Sequence, residues 1–187
     1  MPPTIERAIG RLLRGVRAGD RHLAWDRADL HAAPASIRLT SPAFVEGGTM
    51  PARCAGAGVG DNRSPPLAWA GVPQGSAELV LLLEDPDAPL PRPVVHLVAF
   101  LPPAMGGVDE GALAPGVPGI RFGRGAFGRA GYAGPRPPRG HGPHRYIFSL
   151  YALSRPLPGT PDFAAALAGM AGSVLARGRL VGMFERA

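Results

Sequence analysis

The sequence contains a single cysteine and no lysine, and aromatic residues make up only 6% of its 187 positions. With Cys54 alone no internal disulfide can form, so a reducing compartment is permitted. No apolar run approaches the roughly 20 residues needed to cross a bilayer. The first residues, Met1 to Arg7, lead into no apolar stretch of the secretory type, so the expected location is cytoplasmic. All 20 basic residues are Arg and the net charge is +6. That balance suits anionic partners in general, although a GC-rich genome gives the same bias of Arg over Lys. The Arg residues are scattered with few aromatics between them, so nucleic acid is not an expected partner.

Glycine and proline are plentiful, at 27 and 23 residues. Such a composition leans toward disorder. Against it, 45% of the residues are hydrophobic and they gather in runs such as 78–84 and 145–153, which disordered chains lack. The length fits one domain with a real core. A strand-rich domain with Pro-stiffened loops satisfies both observations.

Residues 4–18 read as an amphipathic helix, because Ile5, Ile9, Leu12 and Val16 recur at helical spacing and Arg7, Arg11 and Arg14 fall opposite. Such a helix docks on the domain, on a second subunit, or on an anionic membrane surface. From Ala33 onward short apolar runs are separated by Pro and Gly. The expected strands are 36–40, 67–69, 78–84, 94–101, 145–153 and 180–184, and their number favours a β-sandwich with peripheral helices. A late helix is signalled by Thr160 as N-cap, Pro161 in the first turn, Asp162 at the positive end and Gly178 as its stop. The chain thus divides into an extension, 1–32, and a domain, 33–187. Removing residues 1–30 is expected to leave the domain folded and to alter its oligomeric state, with a homodimer expected.

Three segments carry candidate chemistry. Glu84 to Pro93 follows an apolar strand and holds Asp85 and Asp87 among four prolines, which fix φ and extend each preceding residue. This is either a rigid turn or a loop that presents two carboxylates at fixed positions. His96 stands within Val94-Val95-His96-Leu97-Val98; alternation puts it on the face of Val94 and Val98, where its ring needs a partner. Gly134 to Phe148 is a Pro/Gly loop running into a strand whose alternation places His144 and Tyr146 on one face and Arg145 on the other. His144 and Tyr146 there can meet a phosphate or carboxylate, while Arg145 is expected to pair with a carboxylate across the sheet.

Asp85-Pro86-Asp87-Ala88-Pro89, then His96, then Gly134-Pro135-x-Pro137-Pro138-x-Gly140 and His144-Arg145-Tyr146 resemble the two signature regions of the phosphatidylethanolamine-binding (Raf kinase inhibitor-like) proteins, most closely the bacterial branch. Asn62-x-Ser64-Pro65-Pro66-Leu67-x-Trp69, Val72-Pro73, Phe148 to Leu153, Val174-Leu175-Ala176 and Leu180-Val181-Gly182 fit as well, so the resemblance covers about residues 36–185. It implies an antiparallel Greek-key β-sandwich with a small pocket that binds phosphate, acetate or a phospholipid head group. Carried over by position, that pocket uses Asp85, Pro89, His96, Gly134, Pro137, His144 and Tyr146. In this picture Asp85 holds a histidine whose second N–H points outward, and Tyr146 adds a donor. Anion affinity is then expected to rise as pH falls through about 6.5, the ordinary histidine value. Val95 and Leu97 replace the aromatics that usually flank the pocket histidine, and Ser173 stands where a His is common.

An enzyme is not expected, since neither a Gly-x-Ser-x-Gly elbow nor a His-Glu-x-x-His motif occurs. Gly123 to Gly128 formally matches a dinucleotide fingerprint, but the residues after it cannot form the required helix. Two His and an Asp fall short of a zinc site, so no metal and no cofactor is expected. The alternative function that the resemblance implies is inhibition of a kinase or protease through the surface around the pocket.

Overall fold

The computed structural model describes residues 3–186, apart from the side chain of Phe127. Two antiparallel sheets form a sandwich. The smaller has the order β1-β2-β5, built from β1 (Arg38–Thr40), β2 (Leu67–Ala70) and β5 (Gly107–Val108). The larger has the order β6-β4-β3-β7-β8 and comprises β3 (Glu78–Asp85), β4 (Val94–Leu101), β6 (Arg121–Phe122), β7 (His144–Leu153) and β8 (Val174–Phe184). After β6 the chain returns over a long connection to lay β7 beside β3, which gives the Greek-key order β7-β3-β4-β6.

Strand β3 explains why both faces of the larger sheet are covered. Its residues are buried throughout, so it reads as a continuous apolar run rather than an alternating one. Leu79, Leu81 and Leu83 join the core between the sheets, with Tyr146, Phe148 and Leu150 of β7. Val80 and Leu82 face a second core on the outer side, closed by α3 (Phe163–Met170) and by Ala24 and Leu30. Leu30 lies in α2 (Ala28–His31), and the guanidinium of Arg177 on β8 fastens this stretch by donating to the carbonyls of Trp25, at 2.7 Å, and Ala33, at 3.1 Å. Residues 23–33 therefore contribute directly to the packing of the larger sheet.

Several elements depart from the expected bounds. The N-terminal helix α1 spans Pro3–Leu12 and does not reach residue 18; turns follow, and residues 16–19 run as an open strap. Asp162, not Thr160, caps α3, its carboxylate accepting from the Ala165 amide at 2.9 Å. The helix ends before Ala171, and Gly178 lies in the middle of β8, where a Cβ would come within 2.2 Å of the Ile37 carbonyl oxygen. The glycine there allows a close backbone approach and does not stop a helix. Strand β8 starts at Val174, well before the expected residue 180, because Arg177 and Arg179 interrupt the apolar pattern that marks a strand.

Candidate functional site

The site lies at one end of the larger sheet, where β3 ends, β4 begins and β7 begins. Pairing between β3 and β4 runs Leu83 to Leu97 and then Glu84 to Val95, so His96 is an extra residue, a β-bulge. Val95 and Val98 pack toward the outer core, whereas Leu97 joins the inner one. The His96 ring meets Tyr146, another residue of the inner core, edge to face at 5.3 Å between centroids. Strict alternation had placed His96 with Val98; the bulge turns its ring to the other face. This is how the fold brings His96 and Tyr146 together.

His96 Nδ1 lies 2.6 Å from the Ala133 carbonyl oxygen. A carbonyl only accepts, so in the neutral ring Nδ1 carries the proton and Nε2 is a bare acceptor. That Nε2 is buried without a hydrogen-bond partner, and so is the hydroxyl of Tyr146. Each such orphan costs about 1–3 kcal/mol while unmet. Burial also holds His96 below the ordinary histidine range, against the pull of Asp85. The same effect, helped by nearby Asp85, pushes the Tyr146 hydroxyl far above its ordinary value, so it stays protonated and can donate.

Asp85 Oδ2 is 2.8 Å from His144 Nδ1, and both side chains are buried. Its other oxygen accepts from the Asp87 amide at 2.8 Å. The second nitrogen of His144 does not point outward as expected. It lies 2.8 Å from Nδ1 of His141, whose Nε2 in turn faces the Val16 carbonyl at 3.2 Å. Sequence reasoning missed His141. The available signal was its place between Gly140 and Gly142, both at positive φ (76° and 101°), which turns the loop back so that the two rings meet.

Asp85 and the Val16 carbonyl stand at the two ends of this line, and the two imidazoles pass hydrogen bonds along it. Burial and the neighbouring His144 keep His141 below the ordinary histidine range.

Around this line sits a charged frame. Asp87 accepts from the Arg145 amide (2.8 Å), from its Nε and Nη2 (both 2.9 Å), and pairs with Arg17 at 3.0 Å. Burial alone would raise Asp87, but the Arg145 and Arg17 contacts outweigh it and bring the carboxyl down to about 2. Arg145 also grips Asp20 at 2.8 Å; it pairs with carboxylates as expected, but both stand outside the sheet, Asp87 in the loop after β3 and Asp20 in the N-terminal segment. Of the remaining expected pocket residues, Gly134 is buried next to Ala133 and donates to Asn62 Oδ1 at 2.8 Å, while Pro137 is buried and its carbonyl accepts from Arg186 at 3.2 Å. Pro89 is half-buried in the loop after Asp87. Among the described residues no cluster of three or more His, Cys, Asp or Glu could hold a metal ion. The stretch Gly123 to Gly128 ends in a three-residue 3-10 turn and not in a helix.

These features define an antiparallel sandwich with a buried His, Asp and Tyr cluster at the mouths of its central strands. The chain belongs to the phosphatidylethanolamine-binding protein family, whose sequence model matches residues 40–185. Among similar proteins, a UPF0098 protein of Methanothermobacter thermautotrophicus is 39% identical over 157 residues, 80% of this chain and 99% of that one. A UPF0098 protein of Aquifex aeolicus is 39% identical over 132 residues, 68% of this chain and 77% of that one. Escherichia coli YbcL, a crystal structure described as a member of the mammalian family, superposes with a TM-score of 0.74 at 27% identity, covering 82% of this chain and all of YbcL. The fold is also that of a carboxypeptidase Y inhibitor solved with its cognate proteinase, at TM-score 0.52 and 22% identity over 82% of this chain and 85% of that one.

Proposed function

We propose that the protein is a binding protein, not an enzyme, and that it takes a phosphate-type anion, free or as a phospholipid head group. The pocket would comprise Asp85, Pro89, His96, Gly134, Pro137, His144 and Tyr146. The observation that carries this reading is the adjacent pair of buried, unpartnered polar atoms, His96 Nε2 and the Tyr146 hydroxyl. One accepts and the other donates, which matches a phosphate that still carries one O–H: its hydroxyl meets His96 and its oxyanion meets Tyr146. Asp85, with both oxygens engaged, orients His144. His141 acts through His144 as a positioning residue.

The location proposed is cytoplasmic, which the lone buried thiol neither requires nor opposes. Burial pushes Cys54 up to about 11, so it remains protonated and inert whatever the redox setting.

Calorimetric titration with inorganic phosphate and with phosphoethanolamine tests the reading. Tyr146→Phe should weaken both by roughly tenfold, the worth of one hydrogen bond to a charged group. If Tyr146→Phe and His96→Ala each bind as tightly as the unaltered protein, the pocket lies elsewhere.

A further inference from the structure

Asn62 stands in an exposed loop, yet both ends of its side-chain amide are engaged. Its Nδ2 donates to the Tyr132 carbonyl at 3.1 Å, and its Oδ1 accepts from the Gly134 amide at 2.8 Å. A carbonyl only accepts and an amide N–H only donates, so these partners fix which way the side chain is turned. Among the described residues Asn62 alone, glycines aside, has a positive φ, 54°. Asparagine bears that conformation better than most residues do. The backbone is tied as well, the Asn62 amide donating to the Ala55 carbonyl at 2.8 Å.

Between Tyr132 and Gly134 lies Ala133, whose two backbone groups both meet His96. The Ala133 amide donates to the His96 carbonyl at 3.0 Å, and the Ala133 carbonyl faces His96 Nδ1 at 2.6 Å. In a trans peptide the C=O and N–H point in opposite directions. The two peptide groups around Ala133 are therefore gripped from one side by Asn62 and from the other by His96. The group that joins Ala133 to Gly134 is the telling one: its N–H goes to Asn62 Oδ1 and its C=O to His96 Nδ1. Turning that peptide would break both bonds at once. It would also release Nδ1, and the proton of the neutral ring could then move to Nε2.

We propose that Asn62 is a positioning residue that holds His96 in its Nδ1–H tautomer, and that the pocket thereby selects an oxyanion carrying an O–H. The choice of ligand rests on the phosphate reading above, whereas the hold on the tautomer does not. Hydrogenphosphate and sulfate share their shape and double negative charge, but only hydrogenphosphate has a proton to give to His96 Nε2. Sulfate would set an oxygen lone pair against that of the nitrogen, which is buried and otherwise unmet. A site built to pair with a ligand hydroxyl rejects the analogue that lacks it, because its own polar group is left unpaired. The ring could escape by moving its proton to Nε2, and Asn62 closes that escape.

The full-length protein is studied at about pH 7.5, above the ordinary histidine value, where His96 is neutral. Nitrogen-15 shifts of the His96 ring tell the tautomers apart, and calorimetry gives the affinities for sodium phosphate and sodium sulfate. The unaltered protein should show the Nδ1–H form alone and bind phosphate at least about tenfold more tightly than sulfate. Asn62→Gly removes the amide and suits the positive φ. It should show both tautomers and lower the phosphate-to-sulfate ratio about fivefold, the worth of one net hydrogen bond. Asn62→Ala, equally without the amide, is the second variant and should move both readouts the same way. Either variant, folded by circular dichroism and keeping the Nδ1–H form alone, overturns the proposal; so does equal affinity of the unaltered protein for the two anions. If neither anion binds, the phosphate reading fails, and the tautomer in the two variants still decides the role of Asn62.

Discussion

His144 Nε2 stands 2.8 Å from His141 Nδ1, and through that contact a carboxylate on β3 is linked to the carbonyl of Val16 in the N-terminal strap. A site built from two signature loops is thereby coupled to a segment before the region that the family's sequence model matches. Each ring holds a partner through both of its nitrogens, so the coupling is sensitive to any change at either ring.

Replacing His141 should loosen the strap without unfolding the sandwich. His141→Ala removes the Val16 contact and leaves His144 Nε2 unmatched, at a cost of about 1–3 kcal/mol. Tryptic cleavage after Arg14 and Arg17 should accelerate while the midpoint of global unfolding falls only slightly. Unchanged cleavage rates would show that the strap is held by the Arg17, Ala18 and Gly19 contacts alone.

Phosphate affinity should rise on acidification. An anion favours protonated His96, whose Nε2 then becomes a donor; because burial lowers His96, the rise should centre below the ordinary value of 6.5. Titrations across pH 5–8 check this, with His96→Gln expected to flatten the profile. A profile centred at or above 6.5 would assign the effect to another group.

Glu84 predicts a stability that likewise rises on acidification. It is buried on the outer face of β3, accepting from the Ala24 amide at 3.2 Å, and burial pushes its carboxyl up to about 8. With the folded value raised, its contribution is fully present below the ordinary 4.5 and is lost as pH rises through about 8. Glu84→Gln should therefore stabilise the protein by about 2 kcal/mol or more at pH 8.5 and by little at pH 4. Denaturant midpoints at the two values measure it, and equal changes at both would contradict the raised carboxyl.

Asp87 gives the mirror case. With its carboxyl brought down to about 2, its contribution is fully present above the ordinary 3.8 and disappears as pH falls through about 2. Asp87→Asn should cost about 2–4 kcal/mol at neutral pH, since Arg145 and Arg17 lose a buried partner. The same substitution should cost far less at pH 2, by thermal unfolding.

Truncation separates the two parts of the N-terminal region. Deleting residues 1–15 should leave the unfolding midpoint nearly unchanged. Deletion through residue 31 removes Leu23, Ala24 and Leu30, all buried, and unpairs Arg177 from the Trp25 carbonyl. It should destabilise by at least the 2–5 kcal/mol of a single large core truncation. A folded, equally stable product of the longer deletion would mean that the outer core closes without this stretch.

The sequence alone determined the sandwich, the membership of most strands and the polar residues at their mouths. Those features follow from local rules: alternation puts His144 and Tyr146 on one face of β7, and prolines stiffen the loop that carries Asp85 and Asp87. Tertiary structure decided the rest. An extra residue in β4 reversed the face of His96, and no periodicity announces a bulge that forms only against Leu83 and Glu84 of another strand. Asp162 won the cap of α3 because only its carboxylate reaches the Ala165 amide. The outward stripe of α1 depended on which side of the helix found a surface it could approach closely, and that was Gly10 against the Arg139 carbonyl. The site first read as Asp85, His96, His144 and Tyr146 thus became two units: a buried acceptor and donor on His96 and Tyr146, and a proton-sharing line from Asp85 through His144 and His141 to the strap. Which side chains are present is a local property, whereas which lone pairs remain unmet depends on every element that packs around them.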